Sequence, residues 1–132
     1  MNHSGSLKIL VVDDSQDVID LLVEVFSSCG HEVSAVCCGA DAVSAVVRLA
    51  PDIVFLDISM PDMNGFEVAA RVRTLEDRSP KLVAFTSFMD AAFMQKARAA
   101  GFDLHVPKTA DLPRLLAALE IAPGAHGWGR RR

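Results

Sequence analysis

Asp13 and Asp14, Asp57, Thr86 and Lys108 each follow a short apolar run in this 132-residue chain. In an open parallel sheet the residues just beyond the carboxyl ends of the strands share one edge, so these groups are expected to converge there. Three carboxylates brought together repel, and the pKa of at least one rises unless a cation enters. A hard divalent cation with oxygen ligands and open water positions is magnesium, which favours partnership with phosphate oxygens. The ammonium of Lys108 and the hydroxyl of Thr86 can hold the remaining oxygens of a transferred phosphoryl group. Taken singly, each residue has a plainer use: an aspartate pair as a turn or helix cap, Thr86 as a hydroxyl bonded to backbone, Lys108 as a solvated charge. Four strand ends bearing complementary groups point instead to phosphoryl transfer.

The elements that must position them are legible as alternating patterns. Runs of aliphatic and β-branched residues recur as KILVV near residue 10, HEVSAV near 33, DIVFLD near 55, KLVAF near 83 and DLHVP near 105. Helical stretches lie between them, the first with Val18, Leu21, Leu22, Val25 and Phe26 at three- and four-residue steps. Ile9 to Val12, Ile53 to Leu56 and Leu82 to Phe85 are apolar without alternation, as suits parallel strands covered on both faces, whereas the second and fifth runs read as edges. Gly30 and Gly101 stand where helices should stop, Asn64 and Glu67 read as a capping pair, and Asp111 with Pro113 opens the fifth helix. The pattern predicts one α/β domain over 7–121, a doubly wound five-stranded parallel sheet with five helices. It is flanked by an extension over 1–6 and a glycine-rich tail over 122–132 expected to leave the domain.

Composition bounds the function. The chain is 51% hydrophobic and 23% charged, with a net charge of −4, and has room for one core. Arg130, Arg131 and Arg132 account for three of its thirteen cations, so the remaining ten face seventeen acids, a balance of −7 that repels nucleic acid. Cys29, Cys37 and Cys38 form an odd set with two neighbours and no zinc-type spacing with His31, so buried free thiols in a reducing compartment are expected. The start of the chain has no long apolar run, so a cytoplasmic protein with neither signal peptide nor membrane span is expected.

LVVDDS at 10–15, DIVFLDISMPDMNGFE at 52–67, AFTSF at 84–88 and AGFDLHVPK at 100–108 together resemble the receiver domain of two-component response regulators. The resemblance covers residues 7 to 121 and implies the flavodoxin-like strand order 2-1-3-4-5. It implies that Asp57 accepts a phosphoryl group from a histidine kinase or a histidine phosphotransfer protein. Asp14 would ligate magnesium directly and Asp13 directly or through water, with the backbone carbonyl of Ser59 as a further ligand. Thr86 would move to bond the phosphoryl oxygen and Lys108 would pair with it. An aromatic switch on strand five would repack the face made by helix four, strand five and helix five, where a downstream protein binds.

Two departures from the family pattern stand out. His105 occupies the switch position, where tyrosine or phenylalanine is usual. Thr109 follows Lys108 where a cis proline is common, so a trans bond or a strained one is expected. Phe88, Met89, Phe93 and Met94 read as core that is partly exposed on the signalling face, and Met60 and Met63 as loop filling. The expected role is a stand-alone signalling protein that promotes its own aspartyl phosphorylation and dephosphorylation, with no attached output domain. A phosphate sink or relay shuttle, and a phosphorylation-independent interaction module, are the alternatives. An aspartyl-phosphate hydrolase of the haloacid dehalogenase type is disfavoured, because it needs a second acid two residues after the nucleophile and Ser59 stands there.

Overall fold

The computed structural model describes residues 6–58, 64–75, 79–87 and 90–122. Strands and helices alternate: β1 (Lys8–Val12), α1 (Gln16–Ser28), β2 (Glu32–Val36), α2 (Gly39–Leu49), β3 (Ile53–Leu56), α3 (Gly65–Arg73), β4 (Lys81–Thr86), α4 (Ala91–Ala100), β5 (Leu104–Pro107) and α5 (Leu112–Ala118). A 3-10 turn, Leu119–Ile121, ends the described chain. All strand pairs are parallel, in the order β2-β1-β3-β4-β5, as expected from the sequence.

The two faces of the sheet explain the unbroken apolar runs. Leu10, Val12, Val54, Leu56, Leu82 and Ala84 point to the layer of α2, α3 and α4. The alternate residues Ile9, Val11, Ile53, Phe55, Val83 and Phe85 point to α1 and α5. Because successive strand side chains go to opposite faces and both faces are covered, the interior positions of β1, β3 and β4 are all apolar, and polar residues stand only where a strand enters or leaves the core, as Lys8, Lys81 and Thr86 do. Phe55 anchors the second layer, with ring centroids 5.1 Å from Phe26 and 6.2 Å from Phe85.

Helix ends follow the capping residues. Side chains of Ser15, Asn64, Asp90 and Asp111 each accept a backbone N–H at the start of α1, α3, α4 and α5. Gly101 caps α4 at φ +111° and Gly30 follows α1 at φ +92°, where an L side chain is strained. The Asn64 pair is half of what its sequence suggests. Asn64 accepts the Glu67 N–H at 3.0 Å, while the Glu67 carboxylate turns to Arg71 at 3.4 Å, one turn on.

Two expectations are corrected. In α1 the buried seam is Ile19, Leu22 and Phe26, and Leu21 is 53% exposed, because a stripe at i, i+3 and i+7 puts position 21 on the far side of the helix. The cysteines are not buried. Cys29 caps the end of α1, Cys37 lies in the turn after β2 and both are exposed, while Cys38 caps α2 and is half-buried; none of the three is in a disulfide. Connecting segments run over the surface, and that position overrides the preference of the thiol for the interior. No helix among the described residues is long and apolar enough to cross a membrane.

Candidate phosphoryl-acceptor site

The carboxyl ends of β1, β3 and β4 are held level by the ladder. Val12 pairs with Leu56, and Leu56 with Ala84, which carries Asp13, Asp57 and Thr86 to one edge. The Asp57 N–H donates to the Val12 carbonyl at 2.9 Å, and the Asp13 N–H to the Val36 carbonyl at 3.3 Å. Beyond β5, the Lys108 N–H donates to the Thr86 carbonyl at 3.1 Å, which brings the lysine back over the same edge. Asp13, Asp57 and Thr86 are the buried polar side chains among the described residues, 1%, 4% and 1% exposed, and Asp14 is exposed beside them.

Carboxylate oxygens of Asp13, Asp14 and Asp57 all lie within 4.8 Å of one another. Lys108 Nζ sits 3.0 Å from Asp13 Oδ2 and 3.3 Å from Asp57 Oδ2. Asp13 Oδ1 accepts the Ser15 N–H at 2.9 Å. Asp13 Oδ2 is buried, and its contact is the Lys108 ammonium at 3.0 Å. Burial pushes the Asp13 carboxyl above its ordinary range, the Asp57 charge adds to that, and Ser15 and Lys108 pull against it. For Lys108, burial is the largest single influence and acts downward. The Asp13 contact and the charges of Asp57 and Asp13 together outweigh it and hold the ammonium above its usual value. One lysine thus touches two of three clustered acids, and a hard divalent cation fits the charge left over, because the donors of the cluster are all carboxylate oxygens.

Gly65 was not singled out by the sequence reading, and it shapes this edge. A Cβ there would stand 2.6 Å from the Ile58 Cα and 3.0 Å from the Asp57 carbonyl oxygen, and the Gly65 N–H donates to the Ile58 carbonyl at 2.8 Å. The signal in the sequence was the Asn64-Gly65 step opening α3, a place where backbone must approach backbone. Ser59, Met60 and Met63 lie outside the described residues, as do Phe88 and Met89. Phe93 and Met94 are half-buried on α4, and Phe93 meets Phe66 edge-on with centroids 5.3 Å apart. His105 pairs in register with Ala84 and is half-buried on β5, away from the carboxylates. The described chain has no cis peptide bond, so Lys108 and Thr109 are joined in trans.

Comparison with known proteins agrees with this geometry. Residues 9–120 match the family described as "Response regulator receiver domain". The chain is 29% identical over 113 residues to sporulation initiation phosphotransferase F of Bacillus subtilis, covering 86% of this chain and 90% of that one. It is 34% identical over 140 residues to protein-glutamate methylesterase/protein-glutamine glutaminase 2 of Anaeromyxobacter dehalogenans, where it spans 96% of this chain but 41% of that longer protein. Among solved structures, a chemotaxis response regulator of Vibrio cholerae superposes with a TM-score of 0.82 at 25% identity, over 88% of this chain and 98% of that one. A five-stranded parallel sheet that gathers three aspartates and a lysine at one edge, together with a family match over 9–120, makes this chain a member of the receiver domain family of two-component response regulators.

Proposed function

We propose that Asp57 is the phosphoryl acceptor of a cytoplasmic two-component signalling protein whose receiver domain spans 7–121 and takes in Ala122, which lies buried in the layer of α1 and α5 rather than in the tail expected from the sequence. The observation that carries this reading is Lys108, drawn between the two buried carboxylates of Asp13 and Asp57 with the exposed Asp14 beside them. In the reaction an Asp57 carboxylate oxygen attacks the phosphorus of a phosphohistidine on a histidine kinase or histidine phosphotransfer protein. The phosphorus–nitrogen bond breaks, the histidine leaves with its electron pair, and an acyl phosphate forms. Asp13, Asp14 and Asp57 are the residues that would hold magnesium, with the Ser59 carbonyl as the further ligand the family pattern implies. When bound, the ion supplies charge neutralisation for the phosphoryl oxygens.

Lys108 offsets charge on the incoming phosphoryl group, and the Thr86 hydroxyl donates to one of its oxygens once it is in place. Catalysis is positioning and electrostatics, so the protein promotes its own phosphorylation and dephosphorylation without being a separate enzyme. The signal would pass through Thr86 and His105 to the face of α4, β5 and α5, where a downstream protein binds, with no role for nucleic acid or membrane. A phosphorelay shuttle is the second reading, favoured by the similarity to a protein named as a phosphotransferase.

Intact mass after incubation with magnesium and a small phosphoryl donor tests the assignment. The expected result is one added phosphoryl group on the wild-type chain and none on Asp57→Asn. An adduct that persists in the variant overturns the acceptor, and no adduct in either protein leaves an interaction-only module.

A further inference from the structure

The helices α3 and α4 are joined at both ends, by different chemistry. The buried stripe Val68, Ala69 and Val72 sets the height of α3 over the strands, and its position sideways is left to its neighbours α2 and α4. At the end far from the acceptor, Arg73 of α3 holds the Gly101 carbonyl that closes α4, with Nε at 3.0 Å and Nη2 at 2.6 Å. At the near end the joint is apolar. Phe66, in the first turn of α3, meets Phe93, in the first turn of α4, edge-on with centroids 5.3 Å apart. Lys96 Nζ reaches from α4 to 5.3 Å from the centre of the same Phe66 ring. Both rings are half-buried and pack on the core between the sheet and these helices.

The near joint stands one residue from a contact with the acceptor's own backbone. Gly65 precedes Phe66, its N–H donates to the Ile58 carbonyl at 2.8 Å, and a Cβ on it would lie 2.6 Å from the Ile58 Cα and 3.0 Å from the Asp57 carbonyl oxygen. Helix and strand end therefore touch backbone to backbone, with no side chain between them to absorb a shift. From the other side the Asp57 N–H is tied to the Val12 carbonyl of β1 at 2.9 Å. The main chain of Asp57 is thus clamped between a central strand and the first turn of α3, and the rings of Phe66 and Phe93 decide where that turn stands relative to α4.

We propose that Phe66 and Phe93 are positioning residues for phosphoryl acceptance: their edge contact holds the first turn of α3 against the Asp57–Ile58 backbone and so aims the Asp57 carboxylate. This role rests on Asp57 as the acceptor, and it joins α4 to that residue by a route through α3 that does not pass through Thr86. In-line transfer is sensitive to placement, and a misplacement of about 1 Å costs on the order of 100-fold in rate. A shift in the first turn of α4, a helix of the face where the downstream protein binds, therefore reaches the acceptor through two rings and one glycine. Neither ring carries charge or a hydrogen-bonding group, so removing them leaves the charges of Asp13, Asp14, Asp57 and Lys108 in place.

Incubation of the full chain with acetyl phosphate at saturating magnesium, with phosphoryl uptake followed by intact mass over time, tests the role. Phe66→Ala and Phe93→Ala should each slow uptake about 10-fold. The magnesium concentration at half-maximal rate should not change, because no ligand of the ion is lost. The double variant should be no slower than the slower single variant, since either substitution alone removes the one contact. Phe66→Tyr keeps the ring and should restore the wild-type rate. Phe93→Leu keeps most of the buried volume, and helix content in circular dichroism should be retained, so it carries the test where an alanine variant does not fold; it should slow uptake as Phe93→Ala does. In a Thr86→Ala background Phe66→Ala should slow uptake by the same factor, as separate routes require. Wild-type uptake with undiminished rates in Phe66→Ala and Phe93→Leu overturns the positioning role and leaves the acceptor standing. Slowing that multiplies in the double variant overturns it too, as the mark of two separate packing losses, and so does a raised magnesium requirement, which places the damage in the acidic cluster. A wild-type chain that takes up no phosphoryl group removes the acceptor, and the positioning role with it.

Discussion

Two cations are drawn into the molecule at opposite ends of the sheet, and their surroundings differ. At the amino ends of β4 and β5, Arg73 reaches the Gly101 carbonyl with Nε at 3.0 Å and Nη2 at 2.6 Å, the Pro80 carbonyl at 2.8 Å and Asp103 at 2.7 Å, and also meets Ser79. That guanidinium is saturated, and it ties the end of α3 to the segments leading into β4 and β5. At the carboxyl ends, Lys108 touches two buried carboxylates, and an exposed third stands beside them. Arg73 meets one carboxylate and uncharged carbonyls, whereas three carboxylates share one lysine. That excess of negative charge, which a bound cation or a charge-bearing reaction can use, separates the site from the staple.

The comparison can be broken at either end. Arg73→Ala should cost the fold most, about 3 kcal/mol, because it removes the donors of the Gly101 and Pro80 carbonyls together and leaves Asp103 only the Leu82 N–H. Urea unfolding would measure that loss, and phosphoryl acceptance below the transition should be unchanged; an equal loss of both would make Arg73 part of the site. Lys108→Ala should reverse the pattern. Phosphoryl acceptance is expected to slow by about 10- to 100-fold, followed by intact mass over time, while binding of the divalent cation remains.

Two smaller effects sharpen it. The carboxyl of Asp13 is raised by burial, so the unfolded chain ionises first and folding loses stability as pH climbs through the ordinary 3.8 toward the folded value. Asp13→Asn removes that cost at neutral pH and should raise the melting temperature by about 3–5 °C without divalent cation. The same variant should flatten the rise in melting temperature that added magnesium gives the wild-type chain. At the other end of β1, the Leu7 N–H donates to His31 Nδ1 at 3.1 Å, and burial lowers the pKa of that histidine. Its neutral form is favoured in the fold, so the contribution is complete above about pH 6.5 and is lost as pH falls below it. His31→Phe should remove this pH-dependent part of stability, so that unfolding at pH 7.5 and pH 5.5 differs less than in the wild-type chain.

Much of this was legible in the residues. The alternation of apolar runs and helical stripes gave strand number, parallel pairing and the edge character of β2 and β5. Asp13, Asp57, Thr86 and Lys108 were recognisable because each stands where a buried strand leaves the core and the register of a parallel sheet carries such positions together. Leu21 and the cysteines were misread for one reason. Hydrophobicity says what a residue prefers, and neither the narrow seam Ile19, Leu22 and Phe26 nor the surface course of a turn is contained in a residue type.

The sequence by itself determined the architecture and which residues stand at the strand ends, since both depend on local periodicity and on the fixed geometry of a ladder. Tertiary structure alone decided that Lys108 reaches Asp13 and Asp57 together and that Gly65 must lie against the Ile58 and Asp57 backbone. It alone left Leu21 in water. The lysine contacts join segments 95 and 51 residues apart in the chain, and such distances are fixed only when the two layers close on the sheet.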